Sequence, residues 1–147
     1  RKSKYYTAVT ASIYTVAKGG SRTYACTFRT GEIYLNAAEA AFHTDKLDDA
    51  KSYLLALLKK RYNTNGYTRI EPEVNALTKE NFLEYLYNER FKELAVEGHR
   101  WFDLRRTSQP RIEKTYSGQT YVLEQGDARY TIRIPKEAIE SNPNLAN

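Results

Sequence analysis

Apolar positions follow a helical period through the middle of this chain and a strand-like pattern towards both ends. Tyr5 to Tyr14 is rich in Tyr, Thr, Val and Ile, Lys18-Gly19-Gly20-Ser21 interrupts it, and Thr23 to Phe28 is β-prone again. That order predicts an N-terminal hairpin. From about Thr30 the pattern turns helical, with Ile33, Ala37 and Ala40 or Ala41 on one side, and its many alanines allow another helix to approach closely. Thr44-Asp45 supplies an N-cap, after which Leu47, Ala50, Leu54, Leu57 and Leu58 recur at spacings of three and four and predict a second helix. Ala38 and Ala50 lie twelve residues apart across this short turn, the separation of the small packing residues in a tetratricopeptide-type helical hairpin. Leu57 departs from that repeat, which usually has a small residue there, and one repeat alone makes no stable solenoid.

Asn63-Thr64-Asn65-Gly66 ends the second helix in this reading, and Glu71-Pro72 marks a loop, because the residue before proline disfavours the helical region. Thr78 caps a third helix with Glu80 in its first turn, running to about Val96; Gly98 stops or kinks it, and His99 to Arg106 forms a further short helix before Ser108-Gln109-Pro110. Arg111 to Tyr116, Tyr121 to Glu124 and Tyr130 to Ile134 are β-prone, with Ser117-Gly118-Gln119 as a turn. Pro135 starts a helical turn that Asn142-Pro143-Asn144 ends. The expected fold is mainly α: a tetratricopeptide-like helical hairpin plus further helices, with small β-hairpins at the two ends, all in a single domain spanning residues 1–147.

Charge placement alters this picture between Asn88 and Arg106. Glu89, Glu93 and Glu97 are four residues apart and form one stripe on a helix, which is tolerable only if cations lie against it. Arg90, Arg100, Arg105 and Arg106 are the nearby candidates, and the interleaved Phe91, Leu94, Trp101, Phe102 and Leu104 predict that some ion pairs are drawn partly into the core. Trp101 is expected to be buried.

This block, Glu89-Arg90-Phe91-Lys92-Glu93-Leu94-Ala95-Val96-Glu97-Gly98-His99-Arg100-Trp101-Phe102-Asp103-Leu104-Arg105-Arg106, resembles the C-terminal signature of the SusD/RagB family. Two more passages resemble the family in the same order. Arg29 to Ala40, with Arg29, Glu32 and Glu39, looks like its R-x-x-E-x-x-L-x-x-A-E-A helix, and Ile134-Pro135 with Asn142-Pro143-Asn144-Leu145 looks like its ending. The resemblance implies the C-terminal fragment of a longer lipoprotein at the external face of the bacterial outer membrane. Such a protein captures a glycan or other nutrient and delivers it to a TonB-dependent, SusC-like transporter. The lipidated N-terminus would lie outside this chain, which opens on Arg1 and has no Met. The family's ligand contacts lie on variable loops, so no binding residue transfers onto this sequence.

Composition narrows the chemistry. A net charge of +5 is too dispersed to argue for nucleic acid, with Lys59-Lys60-Arg61 as the only basic triplet and no reader motif. Cys26 is the sole cysteine, so no internal disulfide forms, and a small residue buried in a strand is its simplest role. Glu39 and His43 are four apart and Glu97 and His99 two apart, whereas a di-iron bundle needs a Glu-x-x-His pair on each of two helices. No metal or other cofactor is expected. Acids among arginines stay ionised and make poor proton donors, and no nucleophile elbow or glycine-rich phosphate loop is present, so no catalytic residue is expected. Tyr62 and Tyr67 flank the Asn- and Gly-rich segment and are the ligand-stacking candidates. The alternative to nutrient binding is a tetratricopeptide-like protein-interaction module.

Overall fold

The structure, a computed structural model, describes residues 6–8, 14–16 and 29–145. These divide between two compact units, Arg1–His99 and Arg100–Asn147.

In the first unit, β1 (Tyr6–Ala8) pairs antiparallel with β2 (Tyr14–Val16), with Thr7 opposite Thr15. The N-terminal hairpin therefore closes within and just beyond the first β-prone run. The predicted turn at Lys18–Ser21, the strand at Thr23–Phe28 and Cys26 lie outside the described residues.

Four helices follow: α1 (Thr30–His43), α2 (Leu47–Arg61), α3 (Thr64–Asn75) and α4 (Lys79–Glu93). α1 packs against both α2 and α4, and α3 packs against α2. Ala38 and Ala50 are fully buried, as close packing in a tetratricopeptide-like hairpin requires, and Leu35, Leu54, Phe82 and Leu86 complete the centre. Thr44 closes α1 instead of opening α2: its Oγ1 donates to the Ala40 and Ala41 carbonyls at 3.1 and 3.0 Å, and Asp45 turns the chain at φ 61°. Thr78 does cap α4, its backbone N–H donating to Asn81 Oδ1 at 2.8 Å in a capping box.

α3 replaces the expected loop. Asn63 caps it by accepting from the Gly66 N–H at 2.8 Å, so the Asn- and Gly-rich segment that ends α2 also starts a helix. Pro72 sits in its last turns, and both Pro72 and Thr68 are exposed, so water can satisfy the carbonyl that the missing N–H leaves open. α4 ends at Glu93, short of Val96. The turn that follows uses left-handed backbone at Val96 (φ 67°) and Gly98 (φ 83°), and a helix cannot continue through it.

α5 (His99–Arg106) runs as the sequence predicts. In the second unit β3 (Ile112–Tyr116) and β4 (Gln119–Leu123) form an antiparallel hairpin. Its two-residue turn has Ser117 at φ 49° and Gly118 at φ 77°, the paired left-handed geometry whose twist matches the strands. Tyr130 closes a 3-10 turn, Ala128–Tyr130, and no strand forms over Tyr130 to Ile134. Tertiary contacts override its β propensity. The Tyr130 ring stacks on Trp101 with centroids 5.2 Å apart, and its hydroxyl donates to the Pro110 carbonyl. α6 (Lys136–Ser141) follows Pro135 and ends at Asn142.

Asp127 shapes the same turn. Hydrogen bonds from the Arg129 side chain and backbone N–H pull its carboxyl down to about 2 from an ordinary 3.8. A depressed carboxylate contributes stability that is present above pH 3.8 and lost as pH falls through about 2. Carboxyl-carbon NMR titration should place the Asp127 midpoint near that lower value, and Arg129→Ala should return it towards the ordinary one.

Candidate functional site

The acidic stripe of α4 meets α1 along a polar seam. Glu39 Oε1 accepts from the Tyr87 hydroxyl at 2.9 Å, Asn36 Oδ1 from Arg90 Nη1 at 2.7 Å, and Glu32 Oε1 lies 3.5 Å from Arg90 Nη2. At the end of the ladder Arg29 reaches Glu93 Oε1 at 3.2 Å and also pairs with Glu97. The order of these contacts, with rising numbers on α1 meeting falling numbers on α4, is that of two antiparallel helices. Arg29, Glu32 and Asn36 of one passage quoted for the resemblance thus meet Arg90, Glu93 and Glu97 of another.

Glu93 is the most heavily engaged member. Arg61, from the last turn of α2, grips it with two donors, Nε to Oε2 at 2.8 Å and Nη2 to Oε1 at 2.7 Å, while Arg29 donates to Oε1 from another direction. Its side chain is 10% exposed. Bidentate guanidinium pairs are both stronger and more directional than single contacts. Arg90, at 8% side-chain exposure, is the deepest cation of the set, and Glu89 pairs with Lys92. Burial disfavours the charge on Lys92 more than any one contact favours it, but the Glu89 hydrogen bond and the neighbouring negative charges together hold the ammonium above its ordinary range. Burial pushes the nearby Tyr85 hydroxyl up as well, assisted by the charges of Glu89 and Glu73.

Gly31 makes this arrangement possible. A Cβ at that position would lie 3.0 Å from Glu93 Cδ and 3.2 Å from Arg61 Nη2, and closer still to Glu93 Oε1. Gly31→Ala in an ordinary helix stabilises by about 1 kcal/mol. Here the clash should reverse the sign, to a loss of about 1–3 kcal/mol. Denaturant unfolding checks it: stabilisation by Gly31→Ala in the otherwise unchanged chain would mean that the carboxylate does not occupy this position. In a Glu93→Ala background the same substitution should become neutral or stabilising.

The remaining signature residues belong to the second unit. Trp101 is half-buried against Tyr130, and buried Asp103 accepts from Arg106 Nη2 at 3.0 Å. Arg105 is half-buried in the last turn of α5, its carbonyl accepting from Gln109 Nε2 at 3.0 Å, and Arg100 is exposed near the start of that helix. The sequence reading missed Arg61, Gly31, Asn36 and Tyr87. Gly31 carried a local signal, as a glycine set in the first turn of an alanine-rich helix. Arg61 carried none, for it is 32 positions from its partner.

Tyr62 and Tyr67 bracket the start of α3. Both are half-buried against the core, with Tyr62 Cδ1 3.2 Å from where a Gly66 Cβ would stand. The Tyr67 hydroxyl donates to Glu71 Oε1 at 3.0 Å, and burial, then that bond, raises its pKa. Among the described residues no group of three or more His, Cys, Asp or Glu converges as a metal ion requires. No described helix is long and apolar enough to cross a membrane.

The contacts of Arg29 and Arg61 with Glu93, and of Arg90 and Tyr87 with Glu32, Asn36 and Glu39, tie the helices of the first unit to one another. In the comparison with known families, the model described as the SusD family matches residues 3–147. No curated protein matches the chain.

Proposed function

This chain belongs to the SusD family, and from that premise we propose that it is the C-terminal part of a non-catalytic binding lipoprotein that captures a glycan or other nutrient at the outer face of the bacterial outer membrane. The family is one of glycan- and nutrient-binding proteins, typically lipoproteins of the outer-membrane surface. In this reading the bound nutrient passes to a TonB-dependent, SusC-like transporter, and the protein itself makes and breaks no covalent bond.

The observation that carries the proposal is the double clasp on Glu93, whose two oxygens accept from Arg61 and Arg29. A general acid must offer a proton to a leaving group, and a carboxylate held by two guanidiniums is poorly suited to that role. The acids that most suggest an active site therefore serve as scaffold. Tyr62 and Tyr67 stay in the proposal as secondary ligand contacts through their outer ring edges.

A protein-interaction module is the second reading, favoured by the fully buried Ala38 and Ala50 of the α1–α2 hairpin. Purification of the parent protein from its native cells separates the two. Nutrient capture predicts recovery in the outer-membrane fraction together with a TonB-dependent transporter; recovery in a soluble fraction with another partner supports the module.

A further inference from the structure

We propose that the tip of the β3–β4 hairpin is a saccharide-binding face selective for acidic sugars, formed by Tyr116, Tyr121, Lys114 and Gln119. This rests on the nutrient-binding reading and adds to it a place and a ligand class. In the hairpin register Lys114 stands opposite Tyr121 and Tyr116 opposite Gln119, so side-chain alternation sends all four to the same face. Tyr116 is 74% exposed and Tyr121 53% exposed, among the most exposed large side chains described.

The face is built as well as exposed. The tight turn at Ser117-Gly118 fixes the strands, and the Tyr121 hydroxyl donates to Gln119 Oε1 at 2.8 Å, which anchors one ring and leaves the Gln119 amide N–H groups for a ligand. On the opposite face the Thr115 and Thr120 hydroxyls are 3.2 Å apart and brace the strands.

Charge selects the occupant. The carboxylates of the hairpin and its flank are held by arginines: Glu113 and Glu124 lie 2.8 and 3.3 Å from Arg111, and Asp127 lies 2.7 Å from Arg129. Among the described residues Lys114 enters none of these pairs. Two phenol faces, an amide and an ammonium, Lys114 being the one charged side chain that the paired strands place on this face, fit a ligand that is apolar on its ring faces, hydroxylated at its edges and anionic. A pyranose bearing a carboxylate or sulfate has this chemistry.

Calorimetric titration of the full chain with tetragalacturonate and with neutral cellotetraose tests the assignment. Tetragalacturonate should bind more tightly. Replacing both Tyr116 and Tyr121 with Ala should weaken it roughly tenfold, with the thermal midpoint unchanged, because each exposed ring contributes stacking and little packing. Lys114→Gln should weaken tetragalacturonate by about fivefold, reduce its salt dependence and leave cellotetraose unaffected. Tetragalacturonate binding that survives all three substitutions overturns this site while leaving the nutrient-binding reading intact. Equal affinity for the two probes overturns the acidic class, and no binding of either saccharide overturns the inference while leaving its premise, tested by membrane fractionation, standing.

Discussion

Arg90→Ala is expected to destabilise the first unit by about 3–5 kcal/mol, the scale for removing one partner of a buried ion pair. The guanidinium is 8% exposed and bridges α4 to α1 through Asn36 at 2.7 Å and Glu32 at 3.5 Å. Its removal abolishes both contacts at once and opens a void where the aliphatic stem had packed. Arg90→Lys should recover only part of the loss, since an ammonium lacks the planar fork that reaches two acceptors. Arg111→Ala is the matched control: its partners Glu113 and Glu124 are half or more exposed, and the unfolding midpoint should hardly move. Urea unfolding followed by circular dichroism decides the matter. A midpoint for Arg90→Ala equal to that of Arg111→Ala would make the seam a surface feature and remove the structural account of the family signature.

Phe82→Ala should cost about 3–5 kcal/mol, for a different reason. Phe82 is wholly buried in α4 and lies parallel to Phe42 of α1, with centroids 5.5 Å apart and an interplanar angle of 11°. Truncation removes the transfer free energy of the ring, leaves a cavity among close-packed residues and deletes an aromatic pair that itself contributes about 0.5–1.5 kcal/mol. Phe82→Leu keeps much of the volume and should lose clearly less. If alanine costs under about 1 kcal/mol in equilibrium unfolding, the α1–α4 core is not packed as described.

These two residues differ in how visible they are from sequence alone. Phe82 sits in a capped helix, where capping and apolar spacing agree; α2 was legible from its leucine spacing alone, and α1 was legible as a helix but not in its buried side, since Ile33 is exposed and Leu35, Ala38 and Ala41 are buried. α3 was not, because proline and an Asn-Gly run outweighed a weaker signal: Tyr67, Ile70, Val74 and Leu77 recur at three and four and pack on the core. The Asn that ends one helix can cap the next, and proline near a helix end leaves only a solvent-facing carbonyl unpaired. Likewise local propensity predicts strand at Tyr130, whereas its stacking on Trp101 and its bond to Pro110 depend on residues far along the chain.

For the polar seam, the repulsion among Glu89, Glu93 and Glu97 showed that cations had to be present, but not which ones. Proximity in sequence favoured Arg90 and the arginines that follow it. The structure instead brings Arg29 to Glu93 across 64 positions and Arg61 across 32. Periodicity reveals which side of a helix needs a partner; the partner's identity depends on how helices cross, and that is set by small residues such as Ala38, Ala50 and Gly31.

The proposed function requires that the carboxylates of the polar seam hold helices together and that the protein binds its ligand without cleaving it. Product chromatography run on the calorimetric samples, with neutral and acidic oligosaccharides incubated with the chain, tests it most directly. The account predicts saturable heat from at least one saccharide and recovery of every saccharide at its original length. Shortened products whose yield rises with protein concentration would contradict it.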